Sequence, residues 1–249
     1  MNNFEGAIKI LGRTIYRNKG SKDNIVFSIA GAHGVGKTTI FNMLKKHLRN
    51  SPKFKFFPER YVKKPPVPFG SRNKQTAFRS EIHFLQQFIR RNKNIKNFDD
   101  KYNGRVLILD RTPLCVLVYS KSLFLKEKDY HLILDTFNSV KWLEDYIIYL
   151  TAEPDTILKR TIRRGSLEKI RKQWNETEKN YLLNVLTFYN EILFSRKDSE
   201  KIIEINTEDL APEDVLENVM NIISEISGYS FNQKLEPPSK QMSLKKFFQ

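Results

Sequence analysis

The residues with the clearest chemical signature form a glycine-rich run at positions 31–38, which reads Gly-Ala-His-Gly-Val-Gly-Lys-Thr. The spacing Gly-x-x-x-x-Gly-Lys-Thr binds the phosphates of a nucleoside triphosphate when it follows a strand and opens a helix. Its glycines let the backbone turn tightly and direct N–H groups at phosphate, and the helix adds the positive end of its dipole. The run therefore predicts a phosphate-binding loop that takes ATP.

Two side chains of this loop are expected to act directly on the nucleotide. Lys37 would reach the β- and γ-phosphates, and the hydroxyl of Thr38 would ligate Mg²⁺. His33 occupies an unconstrained position of the loop and receives no individual role. The full predicted nucleotide-binding set is Gly31, Ala32, His33, Gly34, Val35, Gly36, Lys37, Thr38 and Thr39.

Three further charged residues stand where predicted strands end. Asp110 and Arg111 interrupt the most apolar stretch of the chain, residues 106–118. Asp110 is expected to lie beside the phosphate loop and hold Mg²⁺, and Arg111 to point into the same crevice; the alternative is a surface ion pair. Glu59 follows another predicted strand, where a carboxylate could accept the proton of an attacking hydroxyl. Taken alone, Glu59 is equally an ordinary strand-end glutamate.

A basic stretch later in the chain predicts a lid. Arg160, Arg163 and Arg164 lie at helical spacing just before Gly165. Guanidinium groups on a mobile lid can close over a transferring phosphate and offset its developing charge. The alternative interpretation is a solvated basic face of a helix.

The elements that must position these residues alternate short β-rich runs with longer helical patterns, which is typical of a parallel sheet with crossover helices. We predict strands at residues 25–30, 54–57, 105–109, 146–150 and 201–205. Helices are predicted at 38–48, 75–93, 155–164 and 177–194, with a last one starting at Pro212. In the helix 75–93, the residues expected to face inward are Ile82, Leu85 and Ile89. The predicted fold is a three-layer α/β P-loop fold with a parallel five-stranded sheet, helices on both faces and an arginine-bearing lid.

The chain divides into an N-terminal extension (1–23), a core (24–228) and a tail (229–249). In the extension, Phe4, Ile8, Leu11 and Ile15 recur at helical spacing. This pattern predicts a helix that packs on the core. The alternative is a helix that lies on a membrane surface. Residues 63–72, which include three prolines, are predicted to form a loop.

Composition favours a globular intracellular protein with a basic surface. No apolar run is long enough to span a bilayer, and the N-terminus lacks the pattern of a secretory signal. One cysteine, Cys115, excludes an internal disulfide framework. A net charge of +15 attracts polyanions, including nucleic acid, but a lysine-rich solvated surface explains it equally. Direct contact with DNA therefore stays open.

The order of these motifs resembles the thymidylate kinase and deoxynucleoside kinase group of P-loop kinases over roughly residues 24–228. The resemblance rests on residues 31–38, 58–59, 109–112, 150–154 and 158–165. It implies that Glu59 is the base or a substrate ligand and that Asp110 and Arg111 form the acidic-arginine pair after the third strand. It also implies that Arg160 and Arg164 are lid arginines that act in catalysis together with Lys37.

Two positions depart from the patterns of that group. Deoxynucleoside kinases follow a phenylalanine with a glutamine that reads the base, whereas Phe84 is followed by Leu85. Thymidylate kinases usually have Arg-Glu-Pro where this chain reads Pro-Glu-Arg at 58–60. The identity of the acceptor is therefore not settled by the resemblance.

The tail ends in a second motif. Residues 229–240 are polar, contain two adjacent prolines and are predicted to form an extended linker. Gln241, Leu244, Phe247 and Phe248 then resemble the box by which replication and repair proteins bind the sliding clamp, proliferating cell nuclear antigen. A short turn would gather the three apolar side chains into a plug. The alternative is that this peptide docks on its own core.

These observations lead to one main hypothesis and two alternatives. The main hypothesis is an ATP- and Mg²⁺-dependent kinase that phosphorylates a nucleoside or nucleoside monophosphate and is recruited to the clamp. The first alternative changes the acceptor to the 5′-hydroxyl of a DNA end, and the second is a non-catalytic clamp adaptor that binds ATP. The clamp resemblance implies an archaeal-type cytoplasmic location, or a nuclear one in a eukaryote.

Overall fold

A single mixed sheet forms the centre of the computed structural model, which describes residues 8–10, 23–59, 70–163, 177–195 and 201–231. Its strands are β1 (Ile8–Ile10), β2 (Ile25–Ala30), β3 (Phe54–Phe57), β4 (Val106–Asp110), β5 (Tyr146–Thr151) and β6 (Ile202–Asn206). They lie in the order β1-β6-β5-β2-β4-β3. The five strands from β2 to β6 run parallel, as predicted, and each lies within one residue of its predicted bounds.

Helices cover both faces of this sheet. They are α1 (Lys37–Leu48), α2 (Lys74–Asp99), α3 (Cys115–Ser122), α4 (Glu127–Asn138), α5 (Pro154–Arg163), α6 (Lys179–Phe194) and α7 (Pro212–Ser227). In β2 the side chains of Ile25, Phe27 and Ile29 join one apolar cluster, and that of Val26 joins another. Because successive side chains of a strand point to opposite faces, both faces of the sheet are covered. The three-layer α/β prediction is confirmed.

The N-terminal extension differs from its prediction. Residues 8–10 form an antiparallel strand on the edge of β6, with Ile8 opposite Ile205, rather than part of a helix. A three-residue segment at a sheet edge can satisfy the unpaired N–H and C=O groups of the neighbouring strand, and that pairing overrides a helical spacing of apolar residues. The rest of the extension lies outside the described residues.

Two helices after β4 were not predicted from the sequence. In α3 almost every side chain is buried, so the apolar run has no polar face from which a helical period could be recognised. α4 connects α3 to the loop before β5.

The inward face of α2 contains more than the residues predicted for it. Leu85 is buried, and the half-buried Ile82 and Ile89 pack against the apolar core, as expected. The most buried stripe also contains Phe84 and Phe88 together with two charged residues, Glu81 and Arg91. A search for apolar residues at helical spacing assigns charged residues to the solvent-exposed face and therefore misses Glu81 and Arg91. Both of these residues lie near the site described below.

The packed part of the chain extends beyond α7. Tyr229 and Phe231, which the sequence assigns to the tail, both contact Phe54 at the start of β3, with ring centroids 4.9 Å and 5.9 Å apart. The rest of the tail, most of the predicted loop 63–72 and residues 164–176 of the predicted lid lie outside the described residues. Within the described part of the chain, no helix is both long and apolar enough to cross a membrane.

Candidate active site

The predicted site residues converge because three parallel strands end side by side. The register places Ile29 of β2 opposite Asp110 of β4, and Phe57 of β3 opposite Leu109. The glycine loop follows β2, Arg111 follows β4, and Glu59 lies two residues after β3. The carboxyl ends of parallel strands form the usual binding crevice of an open α/β sheet.

The glycine loop adopts backbone conformations that require glycine. Gly31, Gly34 and Gly36 have φ angles of 137°, 82° and 112°. A Cβ atom on Gly31 would lie 2.4 Å from the carbonyl oxygen of Leu150, and one on Gly34 would lie 2.2 Å from Oγ1 of Thr161. The loop is therefore packed closely against β5 and α5, whereas a Cβ on Gly36 would meet open space.

Lys37 is buried at the start of α1. Its Nζ donates a hydrogen bond to the carbonyl oxygen of Ala32 at 2.6 Å, within the loop itself. Burial, together with the positive charge of Arg111, lowers its pKa to about 7, although Asp110 and Glu59 oppose this shift. Additional negative charge beside Lys37 would restore its protonated form.

Thr38 and Asp110 present oxygen atoms at the same point. Thr38 Oγ1 donates to Asp110 Oδ2 at 3.3 Å. The other carboxylate oxygen, Oδ1, is buried and has no hydrogen-bond partner among the described residues. Burial and the nearby Glu59 raise the pKa of Asp110.

This pair suits a magnesium ion chemically. Mg²⁺ prefers oxygen ligands and is usually bound by one or two protein oxygens together with phosphates and water. No group of three or more His, Cys, Asp or Glu side chains in the described ranges could hold a metal by itself. An ion at Thr38 and Asp110 would therefore depend on a nucleotide for its remaining ligands.

Glu59 and Arg111 form a buried ion pair. Arg111 Nε lies 2.9 Å from Glu59 Oε1, and their side chains are 16 % and 9 % exposed. The guanidinium of Arg111 also lies over the ring of Tyr119, 5.9 Å from its centroid. The structure thus brings Glu59 and Arg111 together at this crevice.

Arg160 contacts the segment after β6 and lies beside the glycine loop. Its guanidinium donates to Oγ1 and the carbonyl oxygen of Thr207, at 2.8 Å and 2.6 Å, and so ties α5 to the segment after β6. It lines a cavity of about 230 Å³ with Gly34, Gly36, Thr39, Thr207 and Pro212. Arg163 is exposed, and Arg164 is outside the described residues.

The ring of His33 packs against aromatic residues of α3 and α6. Its ring stacks on that of Tyr181 in α6, with centroids 5.7 Å apart and an interplanar angle of 18°. The contact joins the glycine loop to the helix that follows the predicted lid.

Two charged residues of α2 were missed by sequence reasoning. Glu81 and Arg91 are each 1 % exposed. Burial raises the pKa of Glu81 to about 8, and Glu81 also interacts electrostatically with Arg111 and Glu59. The sequence feature that could have identified them is that both charged residues fall on the apolar stripe of a predicted helix. Cys115, which is also nearby, has its pKa raised by burial to about 12 and stays a thiol.

Comparisons with known proteins agree with this architecture. The family model described as deoxynucleoside kinase matches residues 27–227. A deoxyadenosine kinase from M. mycoides with bound dATP superposes with a TM-score of 0.64 at 23 % identity, covering 80 % of this chain and 100 % of that one. The same kinase with products dCMP and a flexible dCDP gives 0.62, at 23 % identity and with 81 % and 100 % covered. No curated protein sequence matches the chain.

Replacing two glycines of the loop separates close packing from backbone strain. Gly34→Ala and Gly36→Ala both place a side chain at positive φ, but only the first brings Cβ against Thr161. We expect Gly34→Ala to lower the free energy of unfolding by about 1–3 kcal/mol more than Gly36→Ala. Urea denaturation of the two variants measures the difference, and equal losses would show that the loop is not packed against α5.

Glu81→Gln should change how stability depends on pH. The pKa of Glu81 is about 8 in the folded protein and 4.5 in its ordinary state. Between pH 4.5 and 8 the Glu81 carboxyl group is therefore ionised in the unfolded chain but protonated in the folded protein. This difference favours unfolding increasingly as pH rises through that window. We expect the stability of Glu81→Gln relative to wild type to increase between pH 5 and 8 in urea denaturation.

Glu217→Gln makes the same substitution at an exposed position of α7 and is the matched control. A stability difference between Glu81→Gln and wild type that stays constant with pH would contradict the protonated state of Glu81.

Proposed function

Because this chain belongs to the deoxynucleoside kinase family, we propose that it transfers the γ-phosphoryl group of ATP to the 5′-hydroxyl of a deoxynucleoside. The family match makes the chain a nucleoside kinase; the donor, the acceptor position and the residue roles are our proposal. The observation that carries it is the buried Glu59–Arg111 pair beside the glycine loop and Asp110. In this proposal Glu59 is the base, Arg111 is the cation and the glycine loop binds the phosphates, all within one crevice.

The donor would bind through the glycine loop. Lys37 would exchange its hydrogen bond to Ala32 for the β- and γ-phosphates, whose charge would favour its protonated form. Thr38 and Asp110 would hold Mg²⁺, which supplies neutralising charge to the phosphates when bound. The cavity beside Arg160, between the loop and Pro212, would receive the rest of the donor.

The acceptor would bind between Glu59 and Arg111. The 5′-oxygen forms a bond to the γ-phosphorus as the bond from that phosphorus to the bridging oxygen of ADP breaks, and the hydroxyl proton passes to Glu59. Arg111 offsets the charge on the transferring group. Arg164 stays a predicted lid residue, and Arg160 is assigned to the donor side because it is held by Thr207.

The choice of acceptor is drawn from the compared structures. The similar structures are deoxyadenosine kinases with dATP, dCTP, or dCMP and dCDP. We therefore propose deoxyadenosine and deoxycytidine as the first acceptors to test. The net charge of +15 favours one second candidate, a 5′-hydroxyl DNA end.

A transfer assay with γ-labelled ATP and Mg²⁺ tests the function. Deoxynucleosides, nucleoside monophosphates and 5′-hydroxyl oligonucleotides are offered separately, and we expect label on a deoxynucleoside. Glu59→Gln should lower kcat by roughly 100-fold or more through loss of the base, with ATP affinity retained. Label on DNA alone would select the second candidate. ATP binding without transfer to any acceptor would indicate a non-catalytic adaptor.

We further propose that residues 241–248 recruit the enzyme to a sliding clamp. The support is the sequence motif of Gln241, Leu244, Phe247 and Phe248, which lies outside the described residues. The last described residue, Phe231, lies against Phe54, and nine residues of the sequence separate it from the motif.

Replacing Phe247 and Phe248 with alanine should abolish co-elution with a purified clamp, because the apolar plug is lost. Phosphoryl transfer should be unchanged. Alanine at Lys245 and Lys246 is the matched control, and it should co-elute like wild type. If the phenylalanine variant still co-elutes, or if wild type does not, the recruitment proposal is wrong.

A further inference from the structure

Arg91 makes two hydrogen bonds to the backbone at the end of β4. Its Nη1 donates to the carbonyl oxygen of Asp110 and its Nη2 to that of Arg111, each at 2.7 Å. Its guanidinium also lies over the ring of Phe88, 4.7 Å from the centroid, and the residue is 1 % exposed. A side chain of α2 thus holds the two peptide units that carry the site's acid and its arginine.

The backbone that Arg91 holds is strained. Arg111 has a φ of 69°, in the left-handed region that residues with a Cβ adopt rarely. Such a conformation persists only where the surroundings enforce it. The amide of Arg111 donates to the carbonyl oxygen of Ile29 at 3.1 Å, so Arg91 and β2 together fix the turn.

The chemistry of the bridge requires arginine. A planar guanidinium can donate to two neighbouring carbonyl oxygens in fixed directions, whereas a lysine ammonium acts as a point donor on a flexible stem. Burying a permanent charge among apolar side chains is unfavourable unless its donors are used. In Arg91 two of those donors are used on this turn.

We propose that Arg91 is a positioning residue that maintains the left-handed turn at Arg111 and so directs the guanidinium of Arg111 at Glu59. Arg91 acts through the backbone and does not touch the acceptor. The inference rests on the proposed function only for its kinetic consequence, because Arg111 and Glu59 are there assigned to the acceptor.

Kinetics with Arg91→Lys test the consequence. We expect kcat/KM for the deoxynucleoside to fall roughly 100-fold, as for a misplaced acceptor group, with the KM for ATP changed by less than about twofold. The exposed neighbour provides the matched control, Arg90→Lys, which should behave like wild type. In a protein that already carries Arg111→Ala, we expect Arg91→Lys to cause no further decrease in kcat/KM. If the two substitutions instead lower kcat/KM independently, so that their effects multiply, the proposal is wrong.

The hydrogen-exchange rate of the Arg111 amide tests the turn itself and requires no measurement of enzyme activity. We expect this amide to exchange at least about tenfold faster in Arg91→Lys, while amides of α7 keep their wild-type rates. An unchanged rate at Arg111, or an equal acceleration throughout the protein, would overturn the proposal. A wild-type enzyme that phosphorylates no nucleoside would refute the proposed function instead, and the exchange result would still decide the role of Arg91.

Discussion

The site depends on burying charged side chains where three parallel strands end. Removing a charge from water is unfavourable unless partners replace the water, and several of these groups have such partners. Arg111 pairs with Glu59, Arg91 donates to two carbonyl oxygens, and Lys37 donates to the loop. The buried positive charge of Lys37 is nevertheless not fully compensated, since burial lowers the pKa of this lysine to about 7. A polyphosphate supplies the negative charge that this lysine lacks, so the same constraint that shapes the crevice also favours its ligand.

Helices α5 and α2 contact the elements that form that crevice. Gly34 lies against Thr161 of α5, and Arg160 of the same helix is bonded to Thr207 after β6. On the other side, α2 places Arg91 against the end of β4. The first contact joins α5 to the glycine loop, the second joins α5 to the segment after β6, and the third joins α2 to the turn at Arg111. The glycine loop and the turn at Arg111 are therefore each contacted by a different helix.

Residue type and spacing predicted much of this arrangement. The glycine loop, the five parallel strands and the convergence of Glu59, Asp110 and Arg111 follow from local patterns, since apolar strands followed by charges mark the edge of a parallel sheet. The contributions of α2 could not be obtained in the same way. Arg91 acts through backbone carbonyls about twenty residues away, and no local pattern reports such contacts. The strand β1 was missed for a related reason, because its partner β6 is distant in sequence.

A crystal structure with deoxyadenosine and a non-hydrolysable ATP analogue would show whether Glu59 and Arg111 bind the acceptor. We predict that the 5′-oxygen of the nucleoside lies at hydrogen-bond distance, about 3 Å, from the Glu59 carboxylate, with Arg111 beside it and the triphosphate in the glycine loop. A nucleoside bound elsewhere, with Glu59 and Arg111 still paired only with each other, would contradict this prediction.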